Sequence, residues 1–194
     1  MRRLMLLVIC AVTPAAFGGV QNYTDDDRQL WFDGVDQLGD YDTITFAELP
    51  VGTVVTNQYQ SDLGVVFSGG VTDFGPSIYP NDSHGFFAVP LTEIRFDTPQ
   101  NWFAVDHPDT MMIELYRHDA LFYTSSPSGI HGVGDFNGII SDISFDAVRI
   151  FDPTDSLVGV DDMYFGVIPA PGTICFILGL ALSRASKRRR PDTQ

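Results

Sequence analysis

The sequence predicts an all-β protein, an antiparallel β-sandwich of jelly-roll type, on three observations. Short apolar runs rich in Val, Ile, Phe and Tyr recur from residue 43 onward, separated by Gly, Pro, Asn and Asp, which is the pattern of strands and turns. No amphipathic stretch of 12 residues with a helical period interrupts them. Where a run is long enough to show a period it is two, as in Ile94-Arg95-Phe96 and Ile113-Glu114-Leu115-Tyr116-Arg117. Regular spacing without βαβ units favours an antiparallel sandwich over a parallel sheet.

Taken in order, the runs place strands at 43–46, 53–59, 65–68, 86–89, 93–97, 102–106, 111–117, 120–125, 141–145, 147–151 and 159–165, with no helix among them. The β-branched and aromatic content of each supports extended backbone, and a Gly, Pro, Asn or Asp closes most of them. Alternation puts Ile94, Phe96, Ile113 and Leu115 inward and Arg95, Glu114 and Tyr116 outward. The glycine-rich stretch 129–138 reads as a flexible connection. Residues 19–42 hold seven aspartates around Trp31-Phe32 without a sustained period, so they read as a mobile or loosely docked acidic lead-in to a sandwich over 43–167.

Both flanks carry export signatures. Met1-Arg2-Arg3, an apolar stretch from Leu4 to Val12, and small residues around Ala16 and Gly18 have the anatomy of a secretory signal peptide over residues 1–18. At the other end, Ile168-Pro169-Ala170-Pro171-Gly172 leads into the apolar run Thr173 to Leu182, which a basic cluster with Arg188, Arg189 and Arg190 stops. As a helix, Gly172 to Leu182 spans roughly 16 Å, half of a ~30 Å hydrocarbon core, a length suited to transient membrane insertion with the cluster on the cytoplasmic side.

Between the flanks, residues 20–167 contain four arginines, no lysine and 24 acidic residues, a formal charge of −20. Such a surface repels nucleic acid and suits cations or neutral polymers. The cysteines, Cys10 and Cys175, lie in the flanking apolar segments, so the exported part has no disulfide framework.

The tail over residues 168–190 resembles the PEP-CTERM sorting signal of Gram-negative bacteria, with Ala170 where the family has a glutamate between Pro169 and Pro171. The resemblance implies an exosortase-like membrane protease as partner and a destination at the cell envelope surface or in the extracellular matrix. The stretch 43–59 followed by Gly64-Val65-Val66-Phe67, and the closing Gly159-Val160-Asp161-Asp162-Met163-Tyr164-Phe165-Gly166, resemble the two ends of a jelly-roll domain found in such exported proteins.

The motifs of common chemistries are absent. His84, His107, His118 and His131 stand in no metal-ligand spacing and read as solvated loop residues at strand ends. No GxSxG elbow or phosphate-binding glycine loop is present. Asp135 and Asn137 before Gly138 match only a fragment of a calcium loop. In resemblance to calcium-binding carbohydrate-recognition jelly rolls, where the first and last strands are neighbours, Glu48 and Asp162 would hold a structural Ca2+ with Asp161 or Asp42 assisting. Trp102, Tyr59, Tyr79, Tyr116 and Tyr123 are the aromatics available for a sugar platform, although core packing is their commoner role. The expected function is therefore a non-catalytic exported surface or matrix protein that binds extracellular polysaccharide. The alternative is a glycan hydrolase using Glu93 and Glu114 as its carboxylate pair.

Overall fold

In a computed structural model, residues 19–73, 85–88, 91–129, 135–154 and 158–169 are described. Among them the chain is mostly antiparallel strand, as the patterning predicts, with few helices, which it does not predict. β1 (Val20–Thr24) comes first, followed by a 3-10 turn (Asp25–Asp27) and helix α1 (Arg28–Asp36). Then come β2 (Asp42–Ile44), the short helix α2 (Gln60–Leu63), β3 (Val65–Phe67), β4 (Val71–Asp73) and β5 (Gly85–Ala88). Two 17-residue strands, β6 (Leu91–His107) and β9 (Asp135–Phe151), flank β7 (Met112–Arg117) and β8 (Ala120–Thr124). β10 (Val158–Val160) and β11 (Met163–Gly166) end the fold.

Among the described residues the strands form an eight-stranded sheet and a three-stranded sheet, β10-β5-β4, every pairing being antiparallel. The large sheet works as two layers because β6 and β9 pass through both. Their ladder breaks register between Arg95 and Gln100 and again between Gln100 and Trp102, and such irregularities bend a strand pair and increase its twist. Before the break β6 carries β3, and β9 carries β7 and then β8; beyond it β6 carries β11 and β2, and β9 carries β1. Side chains from both layers meet across the core, with the Phe96 ring 5.3 Å from Phe165 and 6.4 Å from Phe103. The inward residues Ile94, Phe96, Ile113 and Leu115 all lie in this core, as alternation predicts.

The predicted strand 53–59 is instead a turn with one isolated bridge, Val54 to Val71, leading into α2. Gln58 takes part of the backbone bonding, its Oε1 accepting from the Thr56 N–H and its Nε2 donating to the Val54 carbonyl, while scattered bonds to Phe67, Gly70 and Thr72 satisfy Thr56, Val55 and Thr53. Gly64 ends α2 at φ +66, the left-handed conformation that glycine adopts without steric cost.

The acidic lead-in is not loose, and the expectation of a helix-free chain fails in the same place. β1 pairs with β9 from Val20↔Ser141 to Thr24↔Asn137. Helix α1 lays Trp31 and Val35, four residues apart and so on one face, against the outer surface of the second layer. Trp102, Ala104, Phe136, Ile140 and Tyr164 complete this second cluster. Trp31 donates from Nε1 to the Ile139 carbonyl at 3.2 Å. Gly138 lies beneath it, where an added Cβ would stand 2.7 Å from the Trp31 ring and 2.6 Å from Phe136. The glycine of the supposed flexible connection is thus part of a paired strand, needed for close approach rather than freedom.

A loose lead-in and a docked helix differ in what removing the tryptophan costs. Trp31→Ala should lower the unfolding free energy by roughly 3–5 kcal/mol, as for deletion of a buried aromatic. Urea unfolding measures it, and a change below about 0.5 kcal/mol would return residues 19–42 to a loosely docked tail.

Candidate functional site

The four arginines of the acidic domain are the scarce resource in its electrostatics, and three of them organise polar clusters. On the outer face of the first layer, register aligns Glu93 of β6 with Arg149 of β9 and Glu114 of β7. Arg149 Nε donates to Glu93 Oε2 at 2.8 Å, and its Nη1 donates to the Tyr116 hydroxyl at 2.9 Å. Tyr116 in turn donates to Glu114 Oε2 at 2.6 Å. The guanidinium lies 4.4 Å from the Tyr116 ring centroid, an arrangement that adds cation–π attraction to the hydrogen bonds. Arg95 extends the row, donating to Glu93 Oε1 at 2.6 Å and to Asp119 Oδ1 at 2.8 Å.

This ladder is half open to water: the Arg95 and Arg149 side chains are 52% and 35% exposed and Glu93 is 18% exposed. Hydrogen bonding to Asp119 foremost raises the Arg95 pKa, and hydrogen bonding to Glu93 foremost raises that of Arg149. Burial, then the hydrogen bond to Glu114, raises the Tyr116 pKa. The row therefore presents fixed charges and a neutral phenol, held by one another rather than by a flexible loop. Glu93 and Glu114 sit two strands apart, about 10 Å at ordinary strand spacing, with Arg149 and Tyr116 filling the interval.

A second cluster ties α1 down. Arg28 donates from Nε and Nη2 to the two carboxylate oxygens of buried Asp106 at 2.8 and 2.7 Å, and from Nη2 to the Tyr164 hydroxyl at 3.0 Å. Its guanidinium lies 4.8 Å from the Phe32 centroid. The bidentate bond to Asp106 raises the Arg28 pKa above its already high ordinary value, and burial foremost raises that of Tyr164.

A third cluster is buried. His107 ends β6 fully enclosed, where the sequence suggested a solvated residue. The turn through Pro108 returns the Asp109 carbonyl to its Nδ1, so Nδ1 carries the proton and Nε2 accepts from the Ser128 hydroxyl at 3.1 Å. Nearby, Asn137 accepts from Asn22 Nδ2 at 2.9 Å, and Ser125 accepts from the Ile113 N–H at 2.8 Å. Asn137 is fully buried within β9, which corrects its reading as a calcium-loop fragment. His118 is exposed in the tight turn between β7 and β8, while His84 and His131 lie outside the described residues.

The carboxylates expected to hold calcium are brought to one region but not into one group. β2 does pair with β11, with Met163 opposite Ile44, whereas the first strand, β1, pairs with β9. Phe46 then adopts φ +58 and the chain turns, Leu49 N–H bonding back to the Phe46 carbonyl at 3.1 Å, and Glu48 lies in that turn. Glu48 is exposed and accepts from Thr45 Oγ1 at 3.4 Å, Asp161 is buried, and Asp162 accepts from Tyr164 at 3.2 Å. Among the described residues no three His, Cys, Asp or Glu side chains gather closely enough to hold a metal ion.

Of the platform aromatics, Trp102 and Tyr59 are core residues, Tyr116 belongs to the ladder, Tyr123 packs partly against the core, and Tyr79 lies outside the described residues. The sequence reading missed Arg149 and Arg28. The signal for them was their scarcity: in a domain of formal charge −20, a strand arginine flanked by apolar residues must be neutralised by carboxylates across the sheet.

Burial lowers the His107 pKa below its ordinary value of 6.5. The folded state thus binds fewer protons than the unfolded chain wherever free histidine begins to charge. The neutral form's advantage is complete above about pH 6.5 and is lost progressively as pH falls from there toward the folded-state value. Thermal melts of His107→Gln between pH 7.5 and 5 should fall less steeply than wild type; parallel slopes would remove His107 from the acid response.

No protein-family model and no curated protein matches the chain. Among solved structures, the chain is similar to that of the CBM51-2 and INT domains from Clostridium perfringens ZmpB. That similarity has 8% identity and a TM-score of 0.32, over 64% of this chain and 32% of the other.

Proposed function

We propose that this chain is an exported, non-catalytic surface or matrix protein whose β-sandwich, of jelly-roll type, binds extracellular polysaccharide through the Glu93-Arg149-Tyr116-Glu114 ladder. The ladder carries the reading. A polyhydroxyl ligand is recognised by planar carboxylate and guanidinium groups fixed in orientation, each able to engage paired hydroxyls, and a row held by mutual bonds loses little side-chain freedom on binding. The formal charge of −20 over residues 20–167 favours a neutral or cationic polymer over an anionic one.

Hydrolysis is the weaker reading of the same residues. A glycosidase needs two carboxyl groups facing one cleft, with room for sugar and water between them. Here Arg149 and Tyr116 occupy that room and bond to both carboxylates.

Sorting belongs to the same proposal. The signal-peptide pattern and the tail motif around Pro169, Ala170 and Pro171 support export in a Gram-negative-type bacterium and removal of the tail by an exosortase-like protease. Pro169 is exposed at the end of the described residues; Ala170, Pro171 and the cluster Arg188 to Arg190 lie outside them.

Arg149→Met keeps an unbranched stem over Tyr116 while removing the donors. On a glycan array and by calorimetry it should weaken polysaccharide binding about tenfold or more, the scale of one charged hydrogen bond, with the melt close to wild type and no reducing sugar released by either protein. Sugar release by the wild type would favour the hydrolase, and silence on every glycan would leave only a scaffold role. Intact mass of the envelope fraction should show loss of the residues from about 172 to 194; recovery of the uncut chain would reject processing.

A further inference from the structure

The first and last described residues leave the domain side by side. The Gly19 N–H donates to Asp142 Oδ2 at 3.1 Å, and the Asp142 N–H bonds back to the Gly19 carbonyl. One residue away, the Ser141 carbonyl accepts from Asn101 Nδ2 at 3.1 Å, and Asn101 Oδ1 accepts from the Ile168 N–H at 3.2 Å. Gly19, Asp142, Ser141, Asn101 and Ile168 therefore form one continuous hydrogen-bonded patch. It sits where β6 and β9 bend between layers. The Ile168 side chain packs into the cluster beneath α1, and Pro169 follows so closely that a Cβ on Gly39 would stand 3.1 Å from its ring.

The chain beyond this patch is what gives it a partner. From Pro169 to Thr173, where the apolar run begins, there are four peptide steps, at most about 14 Å of fully extended chain. While that run is in a bilayer, the patch cannot be farther than this from the membrane surface, whatever path the intervening residues take. Around the patch Ile143 is 40% and Val167 38% exposed. Its carboxylate, Asp142, accepts from the Gly19 N–H and keeps its negative charge, which a zwitterionic surface tolerates.

We propose that this end of the sandwich, Gly19, Asn101, Asp142, Ile143 and Val167 to Pro169, is a membrane-facing surface that rests on the headgroups of the bilayer holding the C-terminal apolar run, with Ile143 and Val167 at the contact. This rests on the reading of the tail as a membrane-inserting segment. The formal charge of −20 makes zwitterionic headgroups the favoured surface and anionic ones a repelling one.

The full chain, with Cys10 and Cys175 replaced by serine, is reconstituted into phosphatidylcholine vesicles carrying nitroxide-labelled lipid. An environment-sensitive fluorophore is placed singly through Ile143→Cys, Val167→Cys, Leu121→Cys or Val54→Cys, all exposed positions. The labels at 143 and 167 should be blue-shifted and quenched at least twofold more than those at 121 and 54, and the difference should shrink when phosphatidylglycerol is added. Equal quenching at all four positions in protein that floats with the vesicles would overturn the surface while leaving the tail reading intact. Failure to float would overturn the tail reading and the surface with it.

Discussion

The ladder between β6 and β9 is the interaction on which the other pairings of the large sheet rest, because β1, β3, β7 and β11 each hydrogen-bond directly to one of these two strands and β2 and β8 follow through one neighbour. A straight ladder of 17 residues would extend about 55 Å at ordinary strand rise, too long for one compact layer. The register breaks near Gln100 let the pair bend, so its two halves contribute to opposite layers and Phe96 faces Phe165 across the core. A substitution that straightened the break would separate two layers that share their longest strands.

The second layer carries a further condition. Its strands are buried on both faces: Phe103, Val105, Ile139, Met163 and Phe165 enter the main core, and Trp102, Ala104, Phe136, Ile140 and Tyr164 lie under α1. A layer covered on both sides can remain apolar only if something covers the second side, and Trp31 over Gly138 does so with its indole N–H bonded to the Ile139 carbonyl. The charges follow from this placement. Asp106 lies at the helix edge, nearly enclosed, and a buried carboxylate without a cation is costly; Arg28, the first residue of α1, is that cation. Electrostatics and packing thus fasten the same nine-residue helix to the same surface.

What the sequence revealed tracks how many faces of each strand are buried. In 93–97 and 111–117 one face meets the core and the other meets water, so hydrophobicity alternates and even the inward residues are legible. In 102–105 and 136–140 both faces are covered, alternation disappears, and Gly138 makes a paired strand resemble a loop. The helix was hidden by its aspartates, although Trp31 and Val35 already stood four residues apart. For the calcium set, the expected strand at 43–46 does lie beside the last one, as β2 against β11, but the first strand is β1, beside β9, and Glu48 falls in a turn after Phe46, whose positive φ apolar residues seldom adopt and which has no sequence signature. The ladder was half visible: Glu93 and Glu114 stood out as carboxylates, whereas the arginine joining them required the register that aligns all three strands.

Charge and tether act in opposite directions on the proposed membrane-facing end. A domain of formal charge −20 beside an anionic leaflet is repelled over roughly one Debye length, about 8 Å at physiological ionic strength, while four peptide steps allow it no more than about 14 Å of retreat. The tether is the longer of the two lengths, so with the C-terminal run in an anionic bilayer the domain could still withdraw beyond most of the repulsion. On a zwitterionic surface that repulsion is absent, and the proposed apolar contact by Ile143 and Val167 acts unopposed. Severing the chain after Pro169 removes the constraint while leaving the folded unit intact, because the last structural bonds, Ile168 to Asn101 and β11 to β6, lie before the cut.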